Sequence, residues 1–146
     1  MKIKQKKLIG YLLGFILLFT AFVLDYVYND HLNSNVYFVG EGKINISSKE
    51  VIGNYNKFIE YFNKFGVNGE VVISKYNEKY FNNKSLAVIY EIVENTSINL
   101  ELKEAKVDGN TVEIIYEKND IGEIGRDGKF GYVIIVELPK KVINIS

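Results

Sequence analysis

Apolar residues recur along this chain in three rhythms, and each predicts a different element. From Leu8 to Leu24 they run without a single charge. At the α-helical rise this stretch covers about 26 Å, close to the roughly 30 Å hydrocarbon core of a bilayer. Tyr26, Val27 and Tyr28 extend it with residues suited to the headgroup level. Val51, Ile52, Tyr55, Phe58, Ile59, Phe62 and Phe65 fall at helical spacing. Ser47 and Glu50 precede them as an S-x-x-E capping box, and Gly66 offers a left-handed cap. These signals predict an amphipathic helix from Ser48 to about Phe65.

The third rhythm is strand-like. Val36–Val39 and Lys43–Ile46 read as short strands around a Gly40-Glu41-Gly42 turn. Val71–Ser74 reads as another, and Asn77–Asn83 as a tight or brief helical turn. Leu86–Val93 is apolar on both parities, which predicts a central strand covered on both faces. Ile98, Leu100 and Leu102 share one parity, whereas Ala105 and Val107 take the other, so a β-bulge is expected near Lys103–Glu104. Asp108-Gly109 marks a hairpin whose turn tolerates positive φ. Thr111–Glu117 returns with Val112, Ile114 and Tyr116 on one face. Tyr132–Leu138 is the next strand, stopped by Pro139, which cannot donate to a ladder. Val142, Ile143 and Ile145 form a short edge strand. The expected class is α+β, a small antiparallel sheet domain with one amphipathic helix packed on it, following an N-terminal transmembrane helix.

Charge sets the topology of that first segment. Lys2, Lys4, Lys6 and Lys7 all precede the first acid, Asp25. Around Ala21 stand Phe19, Phe22 and Val23, too large for a signal-peptidase site. The segment therefore reads as an uncleaved signal anchor in a single-pass protein of the cell membrane. Its N-terminus is cytoplasmic and the remainder lies outside. The expected organisation is a basic segment 1–7, an anchor 8–28 in the lipid bilayer, a stalk 29–35 holding His31, and an extracytoplasmic domain 36–146. Gly10 and Gly14 give a small-xxx-small pair through which anchor helices could form a homodimer.

The chain has no Cys and one His, against eighteen basic and eighteen acidic residues. No disulfide frame, Cys-ligated metal or thiol nucleophile is available, and a His-based triad has no partners. Zero net charge leaves no basic footprint for nucleic acid. The glycine run Gly122 to Gly128 opens no helix, so it does not read as a nucleotide loop. Asp120, Glu123 and Asp127 do not match EF-hand spacing. No cofactor, metal or catalytic residue is therefore assigned. The Asn-x-Ser sequons at Asn45, Asn95 and Asn144 are expected by chance in so Asn-rich a chain. Glu91, on an otherwise apolar strand, is the acid to inspect for a perturbed pKa. The irregular segment Lys118–Lys129 stands out as a loop presented by a scaffold. Arg126, Asp127 and Phe130 are its candidate interaction residues, an Arg beside an aromatic being favoured at interfaces.

One resemblance joins several of these segments. Tyr76-Asn-Glu-Lys-Tyr80-Phe leads into the apolar strand ending at Tyr90. Thr96-Ser97-Ile98, the Asp108-Gly109 hairpin and the closing Glu137-Leu-Pro-Lys140 follow. Over about residues 76–140 this resembles the C-terminal domain of the PrcB-like protease-complex-subunit family and small exported clostridial proteins. Those relatives carry a Thr-x-Asp-Met segment and a Trp before the last strand, whereas Ile121–Phe130 here has neither Met nor Trp. The resemblance implies a non-enzymatic partner of an exported protease or another envelope protein. The alternative is a carboxylate-dependent cell-wall glycan hydrolase or glycan-binding domain. A hydrolase needs two acids facing each other about 5–9.5 Å apart.

Overall fold

A computed structural model describes residues 11, 13–21, 32–41, 45–65, 70–122 and 125–146. The chain divides into two units, Met1–His31 and Leu32–Ser146. In the first, residues 13–21 are helical. Lys2, Lys4, Lys6, Lys7, Gly10, most of the expected anchor 8–28 and residues 29–31 of the expected stalk, with His31, lie outside the described residues. Among the described residues no helix is long and apolar enough to cross a membrane.

The second unit is α+β. Its elements run β1 (Ser34–Glu41), β2 (Ser48–Ile52), α1 (Tyr55–Phe65), α2 (Glu70–Lys75) and a 3-10 turn (Tyr80–Asn82). Then follow β3 (Lys84–Asn95), β4 (Ile98–Asp108), β5 (Thr111–Asp120), β6 (Asp127–Pro139) and β7 (Asn144–Ile145). A four-stranded antiparallel sheet has the order β1-β6-β3-β2, and a three-stranded mixed sheet the order β4-β5-β7.

The central strands explain the layering. Alternate residues of a strand point to opposite faces. Leu86, Val88 and Tyr90 of β3, with Val133 and Ile135 of β6, pack beneath Phe58, Tyr61, Phe62 and Phe65 of α1. Ala87, Ile89 and Val93, with Ile134 and Val136, pack instead against Leu100, Val107, Val112 and Ile114 of the second sheet. The expected single sheet is thus two sheets, and the second covers the face the helix leaves open. The β5–β7 pairing is parallel, not antiparallel.

Four local expectations are corrected. Ser48–Ile52 is strand β2, hydrogen-bonded along β3, and not the first turns of the helix. The backbone ladder with a buried strand displaces the Ser47/Glu50 box. The helix is capped by Asn54, whose side-chain oxygen accepts from the Lys57 N–H at 2.9 Å. The expected cap Gly66 lies outside the described residues. Val71–Ser74 falls in helix α2, whose Val72 is buried together with Tyr76, the residue just after the helix. Ser34 and Asn35 belong to β1 rather than to a stalk. Of the expected strand Lys43–Ile46, Lys43 and Ile44 are outside the described residues, and Asn45 and Ile46 are not strand.

Other details match the pattern. The register of β4 shifts between Leu102 and Glu104, where the apolar parity changes. The β4–β5 hairpin is present, but its turn lies one residue later than Asp108-Gly109: Asp108 pairs with Thr111 in the ladder, so Gly109 and Asn110 form the turn. Gly109 has φ of 60°, the first central position of a type II′ turn.

Candidate functional site

Two buried carboxylates interrupt the apolar central strands, and the pleat sends them to opposite faces. Glu91 of β3 is 8% exposed and lies on the face toward the second sheet. Its oxygens accept from Tyr116 Oη at 2.6 Å, Ser47 Oγ at 2.8 Å and Lys118 Nζ at 2.9 Å. Glu137 of β6, also 8% exposed, pairs with Leu86 on the helix face. It meets Lys75 Nζ at 3.0 Å, Tyr76 Oη at 3.3 Å and Lys84 Nζ at 3.4 Å.

Burial pushes both carboxyls up. The hydrogen bonds from Tyr116, Lys118 and Ser47 at Glu91, and from Lys75 and Lys84 at Glu137, outweigh it and leave both below the usual value. Burial, then the bond to Glu91, pushes Tyr116 up to about 12, so it stays a donor. The hydrogen bond to Glu137 raises Lys75 to about 12. Both acids are therefore ionised at neutral pH, and neither holds a proton to give. Because they face away from each other across one sheet, they do not flank a common bond, as paired glycosidase acids must.

A pH dependence follows. A carboxyl depressed in the folded state stabilises the fold above its unfolded pKa, and that stability is lost as pH falls through the folded value. Unfolding midpoints should be flat from pH 7 to about 5 and fall progressively below about pH 4.5. Glu91→Gln or Glu137→Gln should start lower at neutral pH and show a shallower acid decline. An equally steep decline in both variants would show that these carboxylates do not govern it.

The Glu91 carboxylate forms part of the lining of a cleft of about 280 Å³ with Ser47, Lys49, Ile89, Ile114, Tyr116 and Ser146. Sequence reasoning singled out Glu91 from its apolar neighbours. Its partners are remote in sequence: Ser47, just before β2, is brought beside Glu91 by the β2–β3 pairing, and Tyr116 and Lys118 of β5 by the stacking of the two sheets.

The segment around Arg126 is tied down rather than loose. Thr96 N–H donates to the Arg126 carbonyl at 3.1 Å, and Arg126 N–H donates to Thr96 Oγ1 at 2.7 Å. Asn95 Nδ2 donates to Asp127 at 2.7 Å. Arg126 is exposed and pairs with Glu41, and its guanidinium carbon lies 5.9 Å from the Phe130 ring centroid. Asp127 is exposed at the start of β6. Phe130 is only 4% exposed, its ring set in the core between the sheets. The accessible aromatic is instead Phe38 of β1, 54% exposed. It stacks 6.2 Å from Phe130 and lies edge-on 5.2 Å from Tyr132. Phe38 was legible only as a strand residue, and its neighbours come from the far end of the sequence.

Among the described residues no cluster of His, Asp or Glu is arranged to hold a metal. Compared with protein-family models, curated proteins and solved structures, the chain matches none.

Proposed function

We propose that the chain is a membrane-tethered extracytoplasmic accessory module that docks another exported protein and carries out no chemistry of its own. The observation that carries this reading is Phe38, a large aromatic exposed yet held by Phe130 and Tyr132, beside the exposed Arg126–Glu41 pair. A rigid aromatic next to an arginine has the composition of an interface hot spot. The resemblance to the PrcB-like family makes an exported protease the partner class to look for first.

The tether rests on the N-terminal unit. Leu13, Phe15, Ile16, Leu17, Leu18 and Phe19 are all exposed along the helical segment 13–21. At about 100° per residue these side chains surround the axis, and a helix apolar all round belongs in lipid or in a large core. Lys2, Lys4, Lys6 and Lys7 then hold the N-terminus in the cytoplasm.

The lack of native Cys makes the test direct. In intact cells, Lys106→Cys should react with a membrane-impermeant maleimide, and Lys4→Cys only after lysis. The reverse pattern would refute the topology. A photo-cross-linking residue at position 38, in cells that naturally make the protein, should capture one exported protein, and Arg126→Glu should abolish the adduct. Adducts to lipid or glycan alone, or an adduct unchanged by Arg126→Glu, would refute the docking surface.

A further inference from the structure

Three segments far apart in sequence meet beside the start of α1. They are the β2–α1 connection at 53–56, the turn at 78–82 and Lys140, just after β6. The Lys140 ammonium ties the first two together, donating to the Gly53 and Phe81 carbonyls. An ammonium has three N–H donors, so one remains. Between these walls lies a cleft of about 300 Å³. Asn54 is fixed beside it, because its Oδ1 caps α1 on the Lys57 N–H, and its amide NH2 is left over. Asn56, Glu78 and Asn82 are exposed at the cleft, and their side chains make no hydrogen bond or ion pair among the described residues. The apolar part of the lining is aromatic, with no aliphatic side chain. Phe81 is buried, whereas Tyr55 is half-buried, its ring 6.4 Å from that of Phe81 and 6.3 Å from that of Phe58.

We propose that this cleft is a binding site for a neutral saccharide unit of a glycan. The site is separate from the Phe38–Arg126 surface and depends neither on the docking reading drawn there nor on the membrane tether. A sugar ring presents hydroxyls, each both donor and acceptor, around faces of C–H bonds. The cleft carries the complementary set. The Glu78 carboxylate only accepts, the remaining Lys140 N–H and the Asn54 NH2 only donate, and the Asn56 and Asn82 amides do both. The Tyr55 ring, negative on its face, suits a sugar's C–H face. The bond from Lys140 to two carbonyls and the cap at Asn54 hold donors in place before a ligand arrives, which lowers the ordering cost of binding. The charges of Glu78 and Lys140 cancel, so an anion gains from the lysine what it loses to the glutamate. An extended peptide needs a strand edge or aliphatic pockets. Here β2 ends at Ile52, before the cleft, and the lining has no aliphatic side chain. The volume is at the small end of ligand pockets, which suits one sugar unit rather than a long segment.

The probes are cellotriose and tri-N-acetylchitotriose, added at millimolar concentration to the full-length, isotope-labelled chain in micelles of a zwitterionic detergent that has no sugar headgroup. At least one should shift the backbone amide resonances of Asn54, Asn56 and Asn82, saturably and with those of the second sheet unmoved. Glu78→Gln should weaken binding about tenfold, the loss of charge-assisted hydrogen bonds, whereas Glu113→Gln, exposed on β5, should leave it within about twofold. Both replaced side chains are exposed, and the unshifted amides of each variant report that its fold is intact. No shift with either trisaccharide, or binding unchanged by Glu78→Gln, would overturn the proposal. Equal shifts at the same amides from sodium sulfate would also overturn it, assigning the cleft to anions, as would saccharide shifts centred on Phe38 instead.

Discussion

Phe58→Ala is expected to remove about 3–5 kcal/mol of stability, the usual loss for truncating a fully buried phenylalanine. Phe58 has no exposed surface. Its ring lies 4.5 Å from Phe62, 5.5 Å from Phe81, 5.9 Å from Tyr76 and 6.3 Å from Tyr55, centroid to centroid. It therefore joins α1 to the 3-10 turn and to the residue that follows α2, and no single neighbour can collapse into the space it would leave. Domains of this size have about 5–15 kcal/mol in total, so the variant should populate its unfolded state under mild denaturant. Urea unfolding of the full-length chain in micelles, followed by near-ultraviolet circular dichroism, measures the shift. Phe38→Ala is the control, an aromatic of the same size but largely exposed, with an expected loss under about 1 kcal/mol. Similar losses in the two variants would mean that α1 is not seated on the sheet as described.

The same residues show how much of the fold could be read beforehand. The stripe Tyr55, Phe58, Phe62, Phe65 was legible because a helix packed on a sheet needs one apolar face and nothing else. The start of the helix was misread. Ser47 and Glu50 satisfy a local capping rule, but β3 offers a neighbouring strand a full ladder, and that long-range pairing is invisible in a local pattern. Asn54 was there to be read as the cap, directly after Gly53. Val71–Ser74 shows a different ambiguity, since a short apolar run fits either period until Val72 and Tyr76 are recognised as one turn apart. The second sheet was half visible. Leu86–Val93 is apolar on both parities, while β4, once its bulge is allowed for, and β5 each bury one face only. Those facts together require β4 and β5 to lie on β3 rather than beside it. The site followed the same logic. Glu91 could be singled out alone, whereas Ser47 meets it only through the β2–β3 pairing and Tyr116 and Lys118 only once the sheets are stacked. Phe130 drew attention through its neighbour Arg126, yet its parity along β6 places it with Tyr132 and Ile134 facing the second sheet, where a partner has no access.

Gly131→Ala is the second large effect, and its sign is the informative part. Replacing a strand glycine with alanine ordinarily helps, by about 0.5–1 kcal/mol, through the entropy of the unfolded chain. At Gly131 a Cβ would lie 2.6 Å from Tyr90 Oη, 2.8 Å from its Cε2 and 2.9 Å from its Cζ. Tyr90 is fully buried, its ring 4.6 Å from that of Phe65, so it has little room to retreat. Overpacking of this kind costs about 1–3 kcal/mol, which exceeds the entropic gain, and the variant should be destabilised. Tyr90→Phe separates the clash from any other cause. The Tyr90 hydroxyl is buried and has no hydrogen-bond partner among the described residues. Removing it alone should therefore be neutral or stabilising, since an unsatisfied buried polar group costs about 1–3 kcal/mol. It also removes the nearest of the three colliding atoms while leaving the two ring carbons. The double variant should thus recover part of the Gly131→Ala loss, with a coupling of at least about 0.5 kcal/mol between contacting sites. Additive losses would show that the Tyr90 ring does not lie over Gly131, and a Gly131→Ala protein more stable than the parent would show that the ring moves aside at little cost.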